Sequence, residues 1–338
     1  MNKHTLLITI ILALVLVSGC NTENDGIFMR VSKSETKTDV GTITLIAKSG
    51  SKFYTKTREH QLQVYESNPA TKGWTLLSTQ ATFVATDTTN IYFAPSVTKD
   101  ENNPISRYVI DSSPVAITPK YADTYDVVAM SPTADLMVVK DGSGKFDVLK
   151  VSDASIVFPG LSDLGFHETF TPQLIVQDST NFIVSGVSGK LGEKFTYTHH
   201  LYDGATHTTI TGINAPVVAF YNDGTNIVLL TSSGETWHNG GAGYTFTKKG
   251  TVPSFSAGTP SHMPYPVFFH GGKLYLQDKN NYMHSITLTT CTVAEEKTID
   301  LSAVKVWSYL VDSGKVYVGT TQNGIFEINM TTNKVTSL

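Results

Sequence analysis

Ser308-Tyr-Leu-Val-Asp-Ser-Gly-Lys-Val-Tyr-Val-Gly319 reads as two short apolar runs joined by Asp-Ser-Gly. Val, Leu and Tyr favour a pleated, half-buried strand, and Asp, Ser and Gly are the residues that tight turns recruit. The stretch predicts a β-hairpin. Val217-Val-Ala-Phe-Tyr-Asn-Asp-Gly-Thr-Asn-Ile-Val-Leu-Leu230 has the same form, as does Pro266-Val-Phe-Phe-His-Gly-Gly-Lys-Leu-Tyr-Leu276. Aligned on the second apolar residue after the turn, the copies give Tyr54, Tyr92, Met137, Ile183, Val228, Tyr275 and Tyr317. The steps between them are 38, 45, 46, 45, 47 and 42 residues.

Each copy continues into a third strand, a turn and a fourth strand. Residues 325–330 are followed by 335–338, residues 146–151 by 155–158, and residues 62–65 by 74–77. A period near 40–45 residues with four strands per unit is the signature of propeller blades. One such sheet cannot bury both faces alone, whereas a closed ring buries each against two neighbours. The expected fold is all-β, a seven-bladed β-propeller of four-stranded blades over residues 41–338. Charged residues are only 16% of the chain, below the ~25% of ordinary soluble domains, and no 3.6-residue periodicity is sustained in this region.

The N-terminus has a different pattern. Lys3 precedes a twelve-residue stretch, 6–17, that is apolar except for Thr9, and Val17-Ser18-Gly19-Cys20 closes it. The stretch is short for ~30 Å of hydrocarbon and has the length of a signal-peptide h-region. The four residues ending at Cys20 resemble the lipobox of bacterial lipoproteins. That resemblance implies cleavage after residue 19, lipidation of Cys20 with acyl chains such as palmitate, and a cell-envelope location anchored to a membrane. More than one acyl chain is needed for stable anchoring. Residues 20–40 are then a tether, and Asp25-Gly-Ile-Phe-Met-Arg30 is expected to be a ring-closing strand because it matches Asn323-Gly-Ile-Phe-Glu-Ile328. Cys291 would be the one remaining thiol, which excludes an intramolecular disulfide; its run Thr290-Cys-Thr-Val293 reads as a buried strand.

Several function classes are disfavoured. The net charge is −4, and −5 once Lys3 is removed. No basic cluster marks a nucleic-acid binder, so no nucleic-acid partner is expected. His199 and His200 are adjacent on an expected strand and point to opposite faces. Asp141-Gly-Ser-Gly-Lys-Phe-Asp147 lacks the acidic spacing of a calcium loop. No metal and no cofactor are expected, and the chain should be a monomer.

The repeats resemble the seven-bladed propeller superfamily in general. Tyr317-Val-Gly-Thr is similar to YVTN-type propellers, and Gly234-Glu-Thr-Trp237 to the Asp-box turn of sialidase-like propellers, with Ser232 where that pattern has Asp. Sialidase-like chemistry would imply three arginines spread around the ring. Arg30, Arg58 and Arg107 are the only ones, all in the first third, and lysine does not reproduce their fork geometry. The expected function is a non-catalytic binding or scaffolding module for a protein or glycan. The competing reading is a hydrolase or lyase acting on glycans or lactones. Loops joining second to third strands, and one blade to the next, should share one rim; the long ones are 94–105, 159–170, 185–194 and 251–264. The candidate ligand-binding residues there are Arg58, His60, Tyr121, His167, Glu168, His262 and Tyr265, with Asp278 and Lys279 on the same side.

If the lipobox is read correctly, the protein sediments with membranes and incorporates a fatty-acid analogue. The C20S variant should then be unlabelled and soluble, and a soluble, unlabelled wild type would refute the assignment.

Overall fold

The structure is a computed structural model. It describes residues 41–338 except 50–51, 58–61, 67–73, 79–82, 87–89, 95–105, 110–113, 117–124, 132–133, 158–163, 191, 193, 205, 241–242, 258–264 and 322–323. The expected signal peptide, Cys20 and the ring-closing segment 25–30 lie outside the described residues.

All elements among the described residues are strands, in seven antiparallel sheets. The first sheet is β1 (Ile43–Ser49), β2 (Lys52–Thr57), β3 (Leu62–Glu66) and β4 (Trp74–Ser78). The second is β5 (Phe83–Thr86), β6 (Asn90–Ala94), β7 (Ser106–Val109) and β8 (Pro114–Ala116). The third has three strands, β9 (Tyr125–Met130), β10 (Met137–Asp141) and β11 (Phe146–Leu149). The fourth is β12 (Gln173–Val176), β13 (Asn181–Ser188), β14 (Thr196–Asp203) and β15 (His207–Ile210). The fifth is β16 (Val217–Asn222), β17 (Ile227–Thr231), β18 (Glu235–His238) and β19 (Thr247–Thr251). The sixth is β20 (Val267–His270), β21 (Lys273–Gln277), β22 (Met283–Thr287) and β23 (Val293–Glu295). The seventh is β24 (Val306–Asp312), β25 (Lys315–Thr320), β26 (Ile325–Asn329) and β27 (Lys334–Ser337).

Strands pair in chain order within every sheet, as expected of β-propeller blades. The aligned positions all fall on second strands, facing Ala47, Ala85, Met130, Ile175, Tyr221, Phe268 and Leu310 of the first. All seven are buried. The short joints close because Asp side chains take the place of backbone acceptors. Asp141 Oδ1 accepts from the Ser143 and Lys145 amides at 2.8 and 2.9 Å, which makes 141–145 a hairpin turn. Asp223 does the same with Thr225 and Asn226 at 2.9 and 2.7 Å, and the Asn226 amide above all holds its carboxyl below the usual carboxylate range.

Three local expectations are corrected. The fourth strand expected at 155–158 is a single bridge, Leu149 to Ile156. Ala154 turns there with φ +60°, the Val157 amide bonds the Val148 carbonyl at 3.1 Å, and residue 158 lies outside the described residues. The loop expected at 185–194 begins later, since β13 stays paired with β14 out to Ser188 opposite Thr196. Cys291 is buried as expected, but in a turn with φ +55° rather than a strand, where the Cys291 amide bonds Thr287 at 2.7 Å. Burial pushes its thiol up to about 11, so it is protonated and inert.

The core lies between sheets rather than within them. Val138, Phe146 and Val148 of the third sheet pack with Leu174, Phe182 and Val184 of the fourth. Ile183 and Leu201 of the fourth meet Phe220 and Leu229 of the fifth, and Val228 and Leu230 of the fifth meet Leu274 and Ile286 of the sixth. Phe268 of the sixth lies 4.8 Å from Tyr309 of the seventh, ring to ring. The seventh and first sheets pack through Phe53 and Tyr317, edge to face at 4.7 Å, with Ile43 and Ile325 beside them. Lys48 pairs with Asp312 across the same seam, and Thr42 bridges Thr321. At Gly319 an added Cβ would lie 2.4 Å from Ser308 Oγ and 2.9 Å from the Ile43 carbonyl oxygen, so only glycine admits the first strand this closely.

Polar latches complete the seams, two residues beyond the aligned second-strand positions. Ser185 Oγ accepts from the Val217 amide at 3.3 Å and donates to His199 Nδ1 at 2.9 Å, while His199 Nε2 donates to the Ile213 carbonyl at 3.3 Å. This chain of bonds defines the His199 tautomer and ties β13 to the start of the next sheet. His200, on the opposite face of β14, is 2.8 Å from His207 and meets Phe166 edge to face. Burial lowers His199 to about 4, and burial followed by His207 does the same for His200.

These imidazoles bind protons less readily folded than unfolded. Their stabilising contribution is full above pH 6.5 and is lost as pH falls toward 4. The urea midpoint should therefore drop between pH 7 and 4.5, before most ordinary carboxylates titrate. H200F should flatten that slope; a pH-independent midpoint in the wild type would contradict the assignment.

Candidate functional site

The antiparallel order places every turn between second and third strands, and every connection between sheets, at the same ends of the strands. Over the fourth to seventh sheets these elements surround a cavity of about 250 Å³. Gln173 opens β12, Val218 lies in β16, Tyr265 and Pro266 lead into β20, and Lys305, Val306 and Trp307 lead into β24. Asp278, Lys279 and Asn281 come from the turn between β21 and β22. Below it, sharing Val218, Tyr265, Pro266 and Trp307, is a narrower space of about 90 Å³. This is lined by Thr44, Leu45 and Ile46, by Leu174, Ile175 and Val176, and by Trp307, Ser308 and Tyr309. Side chains on a strand alternate between faces, so three consecutive lining residues mean that the strand presents its edge. The first strand is terminal in every sheet. The two spaces are the mouth and bore of a central channel walled by first-strand edges.

The mouth is built on Gln277. Its side chain is buried; Nε2 donates to the carbonyls of Asn281, Leu301 and Val304 at 3.0, 3.2 and 2.8 Å, and Oε1 accepts from the Val306 amide at 2.9 Å. One carboxamide thus holds the 278–281 turn, the 301–304 connection and the start of β24 together. It occupies the latch position that Ser185 occupies two sheets earlier. Tyr265 donates to the Gln277 carbonyl at 2.7 Å and packs edge to face on Phe255 at 4.8 Å. Burial first, then the charge of Asp278, raises its phenol above the usual range. Asp278 is buried, and its oxygens are engaged by the Asn280 and Tyr282 amides at 2.7 and 2.9 Å and by His284 Nε2 at 3.3 Å. Trp307 donates Nε1 to Thr321 Oγ1 at 2.6 Å, and Lys305 Nζ stands 4.5 Å from its ring centre.

Of the residues expected at the site, Tyr265 is in the wall, and Asp278 and Lys279 join it. His167 and Glu168 lie on the connection into the fourth sheet but do not line the mouth. His167 instead forms an aromatic cluster with the exposed rings of Phe170 and Phe195 at 5.6 and 5.0 Å, and the Glu168 carbonyl accepts Lys140 Nζ at 2.8 Å. Arg58, His60, Tyr121 and His262 lie outside the described residues. Gln173, Gln277, Asn281, Lys305 and Trp307 were not anticipated. The available signal was positional: Gln277 is two residues beyond Tyr275 in its repeat, as Ser185 is beyond Ile183, and Trp307 is the second residue of β24. Among the described residues, no three His, Cys, Asp or Glu side chains form a metal-binding group.

No family model matches the chain, and no curated protein matches it. Solved structures are similar in fold alone. The WD40 β-propeller domain of Doa1 superposes with a TM-score of 0.50 at 13% identity, covering 86% of this chain and 93% of that one. PorZ, an essential bacterial surface component of the type-IX secretion system of Porphyromonas gingivalis, gives 0.53 at 10% identity. That match covers 90% of this chain but 38% of PorZ, so the chain spans well under half of that protein's length.

Replacing Gln277 by Leu should remove its bonds to the Val306 amide and to the Asn281 and Val304 carbonyls at once, while the Leu301 carbonyl keeps the Val304 amide at 3.0 Å. Leaving buried groups unsatisfied costs about 1–3 kcal/mol each at most, and relaxation at the mouth offsets part of this. A loss of at least about 2 kcal/mol in urea unfolding is expected, and an unchanged midpoint would show that the latch is dispensable.

Proposed function

We propose that the chain is a non-catalytic β-propeller binding module, held to a membrane of the bacterial cell envelope through lipidated Cys20, that captures a protein or glycan at the channel mouth. One observation carries the binding part: a concave, partly aromatic mouth whose buried titratable group, Asp278, is fully engaged within its own turn. A general acid or base needs a free proton-transfer position on the reacting atom, and this carboxylate has both oxygens committed. Trp307 and Tyr265 supply the rigid amphipathic surface on which binding sites are built.

The full chain, immobilised and incubated with solubilised native envelope, should retain a specific partner. W307A should lose it with no change in far-UV circular dichroism. Equal capture by W307A would remove the mouth from the proposal, and robust turnover of lactones or glycans by the wild type would replace binding with catalysis.

A further inference from the structure

We infer that the channel mouth takes the terminal residue of an acidic saccharide, a hexuronic acid whose carboxylate faces Lys279 and Lys305. The inference rests on the binding reading above and identifies its ligand class. Size is the first argument. A mouth of about 250 Å³ narrowing to about 90 Å³ admits a compact group end-on.

Hydrogen-bonding character is the second. The bore beneath is lined mostly by leucine, isoleucine and valine side chains, with some amides and carbonyls of the strand edges reaching it. At the mouth, the Asn281 carboxamide likewise offers both a donor and an acceptor. A hydroxyl, which donates and accepts through one atom, matches such a wall better than a group that does only one. The partly buried Trp307, oriented through Thr321, adds an apolar surface suited to the C–H face of a sugar ring.

Charge decides between a neutral and an acidic sugar. Lys279 and Lys305 are exposed at the mouth, and among the described residues neither pairs with a carboxylate. The one acid in the wall, Asp278, points its oxygens into its own turn and at His284. Among the described residues, the mouth therefore has two ammonium groups against one carboxylate, and that carboxylate is bonded within its own turn and to His284. Lysine recognises an anion as a point charge rather than through a fork, so it places few demands on the direction from which a carboxylate approaches.

The test uses the full chain in detergent micelles, titrated with galacturonic acid and tri-galacturonate, with galactose and a neutral galactose trimer, and with inorganic phosphate. The readouts are calorimetry and tryptophan emission, because displacement of Lys305 from the Trp307 ring changes its surroundings. The uronates should bind at least tenfold more tightly than their neutral counterparts. That advantage should vanish in K279Q/K305Q and weaken in high salt, with circular dichroism unchanged. Equal affinity for neutral and acidic sugars, tighter binding of phosphate, or no saccharide binding would each overturn the inference. If saccharides fail while envelope capture persists and remains sensitive to W307A, only the ligand class falls. If capture is absent as well, the binding reading falls with it.

Discussion

The seam between adjacent sheets is the interaction on which the rest of the structure depends. No sheet has a partner except its neighbours, so Phe, Ile, Leu and Val on both faces must be covered by the next repeat. Full burial of each such side chain is worth about 1.5–3 kcal/mol, whereas a latch such as Ser185 to Val217 is worth about 0.5–1.5 kcal/mol net. The apolar layers therefore carry the stability, and the latches set where one sheet begins relative to the last. The seventh-to-first seam shows both: Phe53 packs on Tyr317, and Gly319 lets the Ile43 strand approach.

The same constraint creates the candidate site. First-strand edges cannot pair within their own sheet on the inner side, so the packed sheets leave a channel with backbone groups on its wall. The connections that cross from sheet to sheet then gather above it. Gln277 serves both roles, because its carboxamide joins the sixth sheet to the seventh and also shapes the wall in which Tyr265, Asp278 and Trp307 stand. A change in this latch would alter the seam and the mouth together.

The opposite end of the strands shares the Asp-held turns seen at Asp141 and Asp278. The 1→2 and 3→4 turns there are held by Asp and Asn side chains bonded to their own backbone, as at Asp178 to Thr180 and Asp203 to Thr206, with Tyr244 bonded to Asp203. These carboxylates are committed to turn geometry. The longest connections, such as 95–105, 252–266 and 296–305, are on the mouth side, where length can change without disturbing the layers below.

The local order of the fold is written in the chain. Hairpins are made by residues adjacent in the chain, so strand, turn chemistry and repeat spacing are legible, and Tyr54 through Tyr317 fall at equivalent places. The turn at Asp141 and the opposed faces of His199 and His200 follow from the same short-range rules. Only the tertiary structure decided which residues meet. Residues of four sheets, more than a hundred positions apart, form the mouth, and no local pattern marks Gln173 and Trp307 as neighbours of one cavity. Loop position could not separate Tyr265, which lines the mouth, from His167 and Glu168, which do not, because only packing decides which side chains turn toward the axis. The turn at Cys291, with its positive φ and its amide bonded back to Thr287, is likewise something that strand propensity does not contain.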